Sequence, residues 1–97
     1  MGNSTEKLLV LYDGQRFLVV PLLFYQQIHA EIIFILPALV PGIGYKTEWL
    51  LGPEIWGTFD DGRKRLAGRC VSYMVRKGEL PLRRVTPRYK YPVRYSP

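Results

Sequence analysis

The 97 residues carry 14 Lys and Arg against 8 Asp and Glu, a net charge of +6 with a pI near 9.7, and 47% of them are apolar. One domain, 1–97, with one modest core is the default at that length, and the apolar content excludes a disordered tail. Cys70 is the only cysteine, which excludes an intramolecular disulfide and points to a reducing, cytoplasmic setting.

With a single Cys and the single His29, no Cys/His cluster exists, and no metal is expected. No acid/base pair or phosphate-binding loop marks a catalytic centre. No catalytic residue, cofactor or small-molecule substrate is therefore expected, and the chain does not read as an enzyme. The apolar stretch from Phe17 to Ile43 is interrupted by Gln26, Gln27, His29 and Glu31 and by Pro21, Pro37 and Pro41. That composition argues against a membrane span. The amino terminus lacks a basic region leading into an apolar one, so no secretory signal is expected. It begins Met-Gly, but Glu6 stands where a myristoylation site wants Ser or Thr.

Charge divides the chain. Residues 1–59 hold three bases and five acids, whereas residues 60–97 hold eleven bases and three acids. The split suggests a scaffolding part, 1–44, and a binding part, 45–97.

In chain order, "LLVLY" and "RFLVV" flank Asp13-Gly14 and predict a β-hairpin. Both runs are apolar on both faces, so both faces are expected to be covered. "PLLFYQQIHAEIIFIL" reads as a helix over 21–36, although its β-branched end also suits a buried strand. "PALVPGIGY" is a loop by its Pro and Gly content. "KTEWLLGPEIWGTF" predicts a short helix from Thr47, a break at Gly52 and a helical piece from Pro53, with Trp49, Leu50, Ile55, Trp56 and Phe59 as core candidates.

The helix over 60–77 has the clearest ends. Asp60 is a good N-cap and Gly78 a good residue to follow the last turn. At about 100° per residue, Leu66, Ala67, Cys70, Val71, Met74 and Val75 form one apolar arc. Arg65, Arg69, Ser72 and Arg76 form a narrow stripe opposite it, with Gly68 and Tyr73 at its flanks. The tail predicts a second hairpin, "ELPLRRV" and "RYKYPVRY", turning near Thr86-Pro87. A period of two would put Tyr89, Tyr91, Val93 and Tyr95 on one face and Arg88, Lys90 and Arg94 on the other. Pro92 implies an edge strand.

A helix, a short break, a longer basic helix and a basic hairpin, over residues 45–95, resemble the winged helix-turn-helix family. "AGRCVSYMVRKGEL" resembles the end of a recognition helix leading into a wing, and the chain is also similar to small uncharacterised winged-helix proteins of bacterial mobile elements. The resemblance implies an α+β, winged-helix-like domain with an N-terminal hairpin, three helices and a C-terminal β-wing. It implies a DNA-binding transcriptional regulator, with double-stranded DNA as the partner. Arg65, Arg69, Ser72 and Arg76 would then face the major groove, and Arg83, Arg84, Arg88, Lys90 and Arg94 would be wing contacts.

Two other classes fit the same surface: a mobile-element inhibitor docking on a host nucleoprotein complex, and an RNA- or ribosome-binding protein. The tyrosines of 89–95 read either as core residues or as platforms for stacked bases. Cys70 reads as buried, and His29 lacks catalytic partners. Residues 17–40 carry more apolar surface than one small core absorbs, which predicts a homodimer.

Overall fold

A computed structural model describes residues 6–12, 14–87 and 90–97. The chain folds as a small α+β domain of four helices and two antiparallel sheets.

Strands β1 (Leu8–Tyr12) and β2 (Phe17–Pro21) pair in register Leu8 with Pro21 and Tyr12 with Phe17. Gly14 takes the connecting turn with φ +99°, a conformation that needs no Cβ; Asp13 lies outside the described residues. Only one face of this ribbon is covered. Leu11 and Val20 are buried, whereas Leu8, Val10, Tyr12, Phe17 and Val19 are exposed. The expectation of two covered faces is wrong because, among the described residues, no helix or second sheet lies over the outer one.

Residues 22–35 are helical, so the helical reading of this segment holds over the strand. In α1 (Leu22–Ile35), Tyr25, Ile28 and Ile32 recur at helical spacing and are buried. Leu23, Ile33 and Phe34 face outward and are exposed. A 3-10 turn over Leu36–Ala38 opens the following loop.

Strand β3 (Tyr45–Lys46) runs into α2 (Thr47–Leu51). Gly52, at φ +89°, breaks the helix, and Pro53 restarts it as α3 (Pro53–Gly57). The three expected helices are thus four. Leu50 and Phe59 are buried and Ile55 and Trp56 partly so, but Trp49 is not a core residue: it is half exposed. Its ring is sandwiched by cations, with Lys46 Nζ at 4.6 Å and the Arg94 guanidinium at 5.0 Å from the centroid.

Helix α4 (Asp61–Arg76) has the ends its sequence implies. Asp60 Oδ1 accepts from the Arg63 backbone N at 2.8 Å. At the other end, Glu79 N donates to Met74 O and Gly78 N to Val75 O, closing the paired bonds of a glycine-terminated helix. Ala67, Cys70, Val71 and Met74 are fully buried; Leu66 and Val75 are partly exposed. These side chains pack with Ile28, Ile32, Leu50, Leu80 and Leu82 in one core.

The second sheet is ordered β3-β5-β4, with β4 over Arg83–Arg84 and β5 over Arg94–Ser96. Strands β4 and β5 are shorter than the hairpin the sequence suggests. Lys90 N donates to Pro87 O in a turn, and Val85 N to Arg94 O extends the ladder by one bond. Residues 90–93 do not alternate as a strand, and of the expected tyrosine face Tyr91 is 81% exposed and Tyr95 3%; Arg88 and Tyr89 lie outside the described residues. Pro92 lies ahead of β5 and takes no ladder position, so β5 sits at the centre of the sheet instead of its edge. Gly44 lies where a Cβ would come within 3.0 Å of Val85 and 3.1 Å of Arg94, which lets the loop before β3 cross the wing base.

Among the described residues no helix is long and apolar enough to cross a membrane, and no group of three or more His, Cys, Asp or Glu is placed to hold a metal.

Candidate nucleic-acid interface

The side chains of an α-helix at 65, 69, 72 and 76 lie along one line, and the apolar arc opposite fixes which way that line faces. With Ala67, Cys70, Val71 and Met74 held in the core, the stripe is turned outward. Arg65, Arg69 and Arg76 are exposed and Ser72 is half-buried. Burial pushes the Cys70 thiol up to about 12, so it is a packed side chain and not a nucleophile.

The stripe is not on a convex surface. It lines a groove of about 760 Å³, which also receives residues from the hairpin, the start of α2, α3 and the carboxy-terminal segment. Lys64 to Arg76 contribute along the helix, a run of about 18 Å at 1.5 Å per residue. Arg16, Phe17 and Leu18 of the hairpin and Tyr91, Pro92 and Val93 ahead of β5 also line it. Lys46 and Glu48 close one part of the rim and pair with each other at 3.6 Å.

Of the expected contact residues, Arg65, Arg69, Ser72, Arg76 and Arg84 are brought together here. Ser72 also meets β5: its hydroxyl is a hydrogen-bond partner of the Tyr95 phenol. Burial raises the pKa of Tyr95, and Ser72, Arg84 and Arg76 partly offset the rise. Arg84 braces the segment that follows β4, its Nε donating to Thr86 O at 3.2 Å and its Nη2 to Pro87 O at 3.4 Å.

The remaining expected residues lie elsewhere. Arg83 is exposed opposite Ser96 in the ladder, and Lys90 is exposed in the wing turn; neither lines the groove. Arg94 is turned toward Trp49 and donates to Gly44 O at 3.4 Å. Arg88 lies outside the described residues.

Sequence reasoning missed Arg16, Lys46, Lys64, Phe17 and Trp56 as members of this site. Lys64 had a signal, since it is about 100° from Arg65 on the helix and so borders the stripe on the Gly68 side. The others join it only through the fold.

Electrostatics set the character of the groove. Lys64 lies over the Trp56 ring at 5.6 Å and Lys77 over Tyr73 at 5.6 Å, so cations and aromatic faces are interleaved along α4. Arg65 and Arg69 have no carboxylate partner among the described residues. Glu79, the first acid after Asp61, faces away: Tyr25 donates its phenolic hydrogen to the Glu79 carboxylate, and His29 Nε2 is 2.9 Å from Glu79 O. Burial, with that carboxylate adding to it, raises the pKa of Tyr25 well above its ordinary value. Glu48, the one acid lining the groove among the described residues, is matched by Lys46.

Such an arrangement can hold a polyanion. Its Arg forks can donate two parallel N–H bonds to phosphate oxygens, and its aromatic and aliphatic lining offers contact to flat apolar groups. Compared with family models, curated protein sequences and solved structures, the chain gives no match.

Proposed function

We propose that this protein binds nucleic acid along the groove floored by α4. The observation that carries the reading is a row of cations from Lys64 to Arg76 along about 18 Å of helix, in a groove whose one lining acid among the described residues is already paired. Phosphate is the ligand such a row matches: each neutralised phosphate releases condensed counterions, which supplies affinity without sequence.

The element order supports a winged helix-turn-helix reading. The wing's returning strand β5 pairs on one side with β4 and on the other with β3, directly ahead of α2. The wing base is thus tied to the start of the helical pair and set beside α4. In that reading α4 is the helix that meets nucleic acid, and Arg84 with residues 85–87 and 90–93 forms the wing.

Exposed Val10 and Val19 on the hairpin and Leu23 and Phe34 on α1 support a homodimer through the amino-terminal part.

The test is fluorescence anisotropy with labelled DNA and RNA over a salt series from about 50 to 200 mM. Log affinity is expected to fall linearly with log salt. Arg69→Ala should lower that slope by about one unit, whereas Arg83→Ala, outside the groove, should leave it unchanged. No binding to any nucleic acid at the lowest salt, with the protein folded, would overturn the reading.

A further inference from the structure

Resting on the nucleic-acid reading, the geometry points to an unpaired strand, not a duplex, as the ligand of the groove, with bases stacking on Tyr91 and Phe17.

The first ground is shape. An α-helix with its side chains is about 10–12 Å across and fills a major groove about 12 Å wide. A helix that enters it must stand clear of its neighbours. Here the arginine stripe shares its groove with the hairpin and with the segment ahead of β5. A duplex would have to pass both before its bases met Arg65 or Arg69, whereas a single strand lies between them.

The second ground is chemistry. A duplex buries its base faces and offers phosphate, sugar and base edges, so beyond a thymine methyl it leaves aromatic rings no flat surface to stack on. This groove is lined by Leu11, Phe17, Leu18, Trp56, Tyr91 and Val93 as well as by its cations. A positively charged track interleaved with aromatic faces is how unpaired strands are held: phosphates on the cations, bases on the rings.

The third ground is exposure. Tyr91 is 81% exposed and Phe17 68% exposed, far apart in sequence yet in one groove. Neither supports the core. Phe17 is set by Tyr12, whose ring centroid is 4.8 Å away and whose hydroxyl donates to Gly14 O at 3.0 Å. The ring is thereby presented by an ordered strand and not by a loose loop. About 18 Å of floor would seat roughly five nucleotides at the stacked spacing of about 3.4 Å.

The experiment compares one labelled sequence of about a dozen nucleotides as a single strand and as its duplex, with oligothymidylate and oligouridylate as the DNA and RNA arms. Each is titrated with the parent protein, Tyr91→Ala, Tyr91→Phe, Phe17→Ala and Arg69→Ala. The single strand is expected to bind more tightly than the duplex. Tyr91→Ala should weaken it by about 5- to 150-fold, Tyr91→Phe should restore it, and Phe17→Ala should weaken it in the same range. Arg69→Ala should weaken both forms. Circular dichroism checks that the exposed-site variants remain folded. Duplex binding as tight as, or tighter than, single-strand binding, with Tyr91→Ala and Phe17→Ala without effect, would overturn the inference while leaving nucleic-acid binding intact. Absence of binding to every probe would overturn both.

Discussion

Gly68 is the residue at which stability and binding should part. It sits in the eighth position of a 16-residue helix, where Gly is about 0.8–1 kcal/mol less favourable than Ala. A Cβ built there meets nothing within 4 Å, so no packing conflict offsets the gain. Gly68→Ala should therefore raise the unfolding free energy by about 0.8–1 kcal/mol. For a domain of this size that is a rise of roughly 4–8 °C in Tm. The open space beside Gly68 is the groove itself, flanked by Lys64, Arg65 and Arg69. A methyl group there stands where a phosphate or sugar must approach the helix. Affinity for oligonucleotide should fall although the protein is more stable. Thermal denaturation and anisotropy on the same sample measure both quantities. A variant that binds as well as the parent would show that the ligand does not approach α4 at Gly68; one that is less stable would show that the groove at this point is not open.

Met74→Ala removes a fully buried side chain and should cost about 2–5 kcal/mol in urea denaturation, whereas Leu66→Ala, on the partly exposed edge of the arc, should cost less. Stability should fall above pH 9: the unfolded Cys70 thiol loses its proton near its ordinary 9.0 while the folded one keeps it to about 12. Tyr25 and Tyr95, both raised by burial above 10.0, act in the same direction above pH 10, so a urea midpoint that is flat or rising from pH 9 to 11 would contradict their burial. Sedimentation equilibrium at micromolar protein should give twice the 11.3 kDa chain mass, and Val10→Asp on the exposed hairpin face should return it to the monomer; a parent that is already monomeric would rule out the dimer.

How much of this was legible in the sequence depended on whether the determinants were local. Helix α4 was, because Asp60, Gly78 and the arc from Ala67 to Met74 each act within a turn or two. The hairpin was, through its β-prone runs and Gly14. Helix α1 was ambiguous because it is apolar on nearly every side: Leu23 and Phe34 are exposed yet no more polar than buried Ile28 and Ile32, so periodicity had little contrast to report. The carboxy-terminal alternation misled because the turn bond from Lys90 N to Pro87 O and the position of Pro92 take those residues out of the ladder. Trp49 looked like core because a large aromatic usually is, but Lys46 and Arg94 cover it with charge instead. The arginine stripe was visible by helical arithmetic, and its groove was not. Phe17 and Tyr91 come from opposite ends of the chain, and only the packing of the hairpin and the wing base around α4 places them together.

The most direct test is a map of the ligand's footprint at single-residue resolution. In a ¹H–¹⁵N titration of the labelled protein with oligothymidylate, the amides of Arg65, Gly68, Arg69 and Ser72 should shift most, together with those of Phe17 and Tyr91 and the side-chain Nε resonances of Arg69 and Arg76. Shifts confined to Arg83, Lys90 and the outer face of α1, with those of α4 unmoved, would contradict binding in the groove.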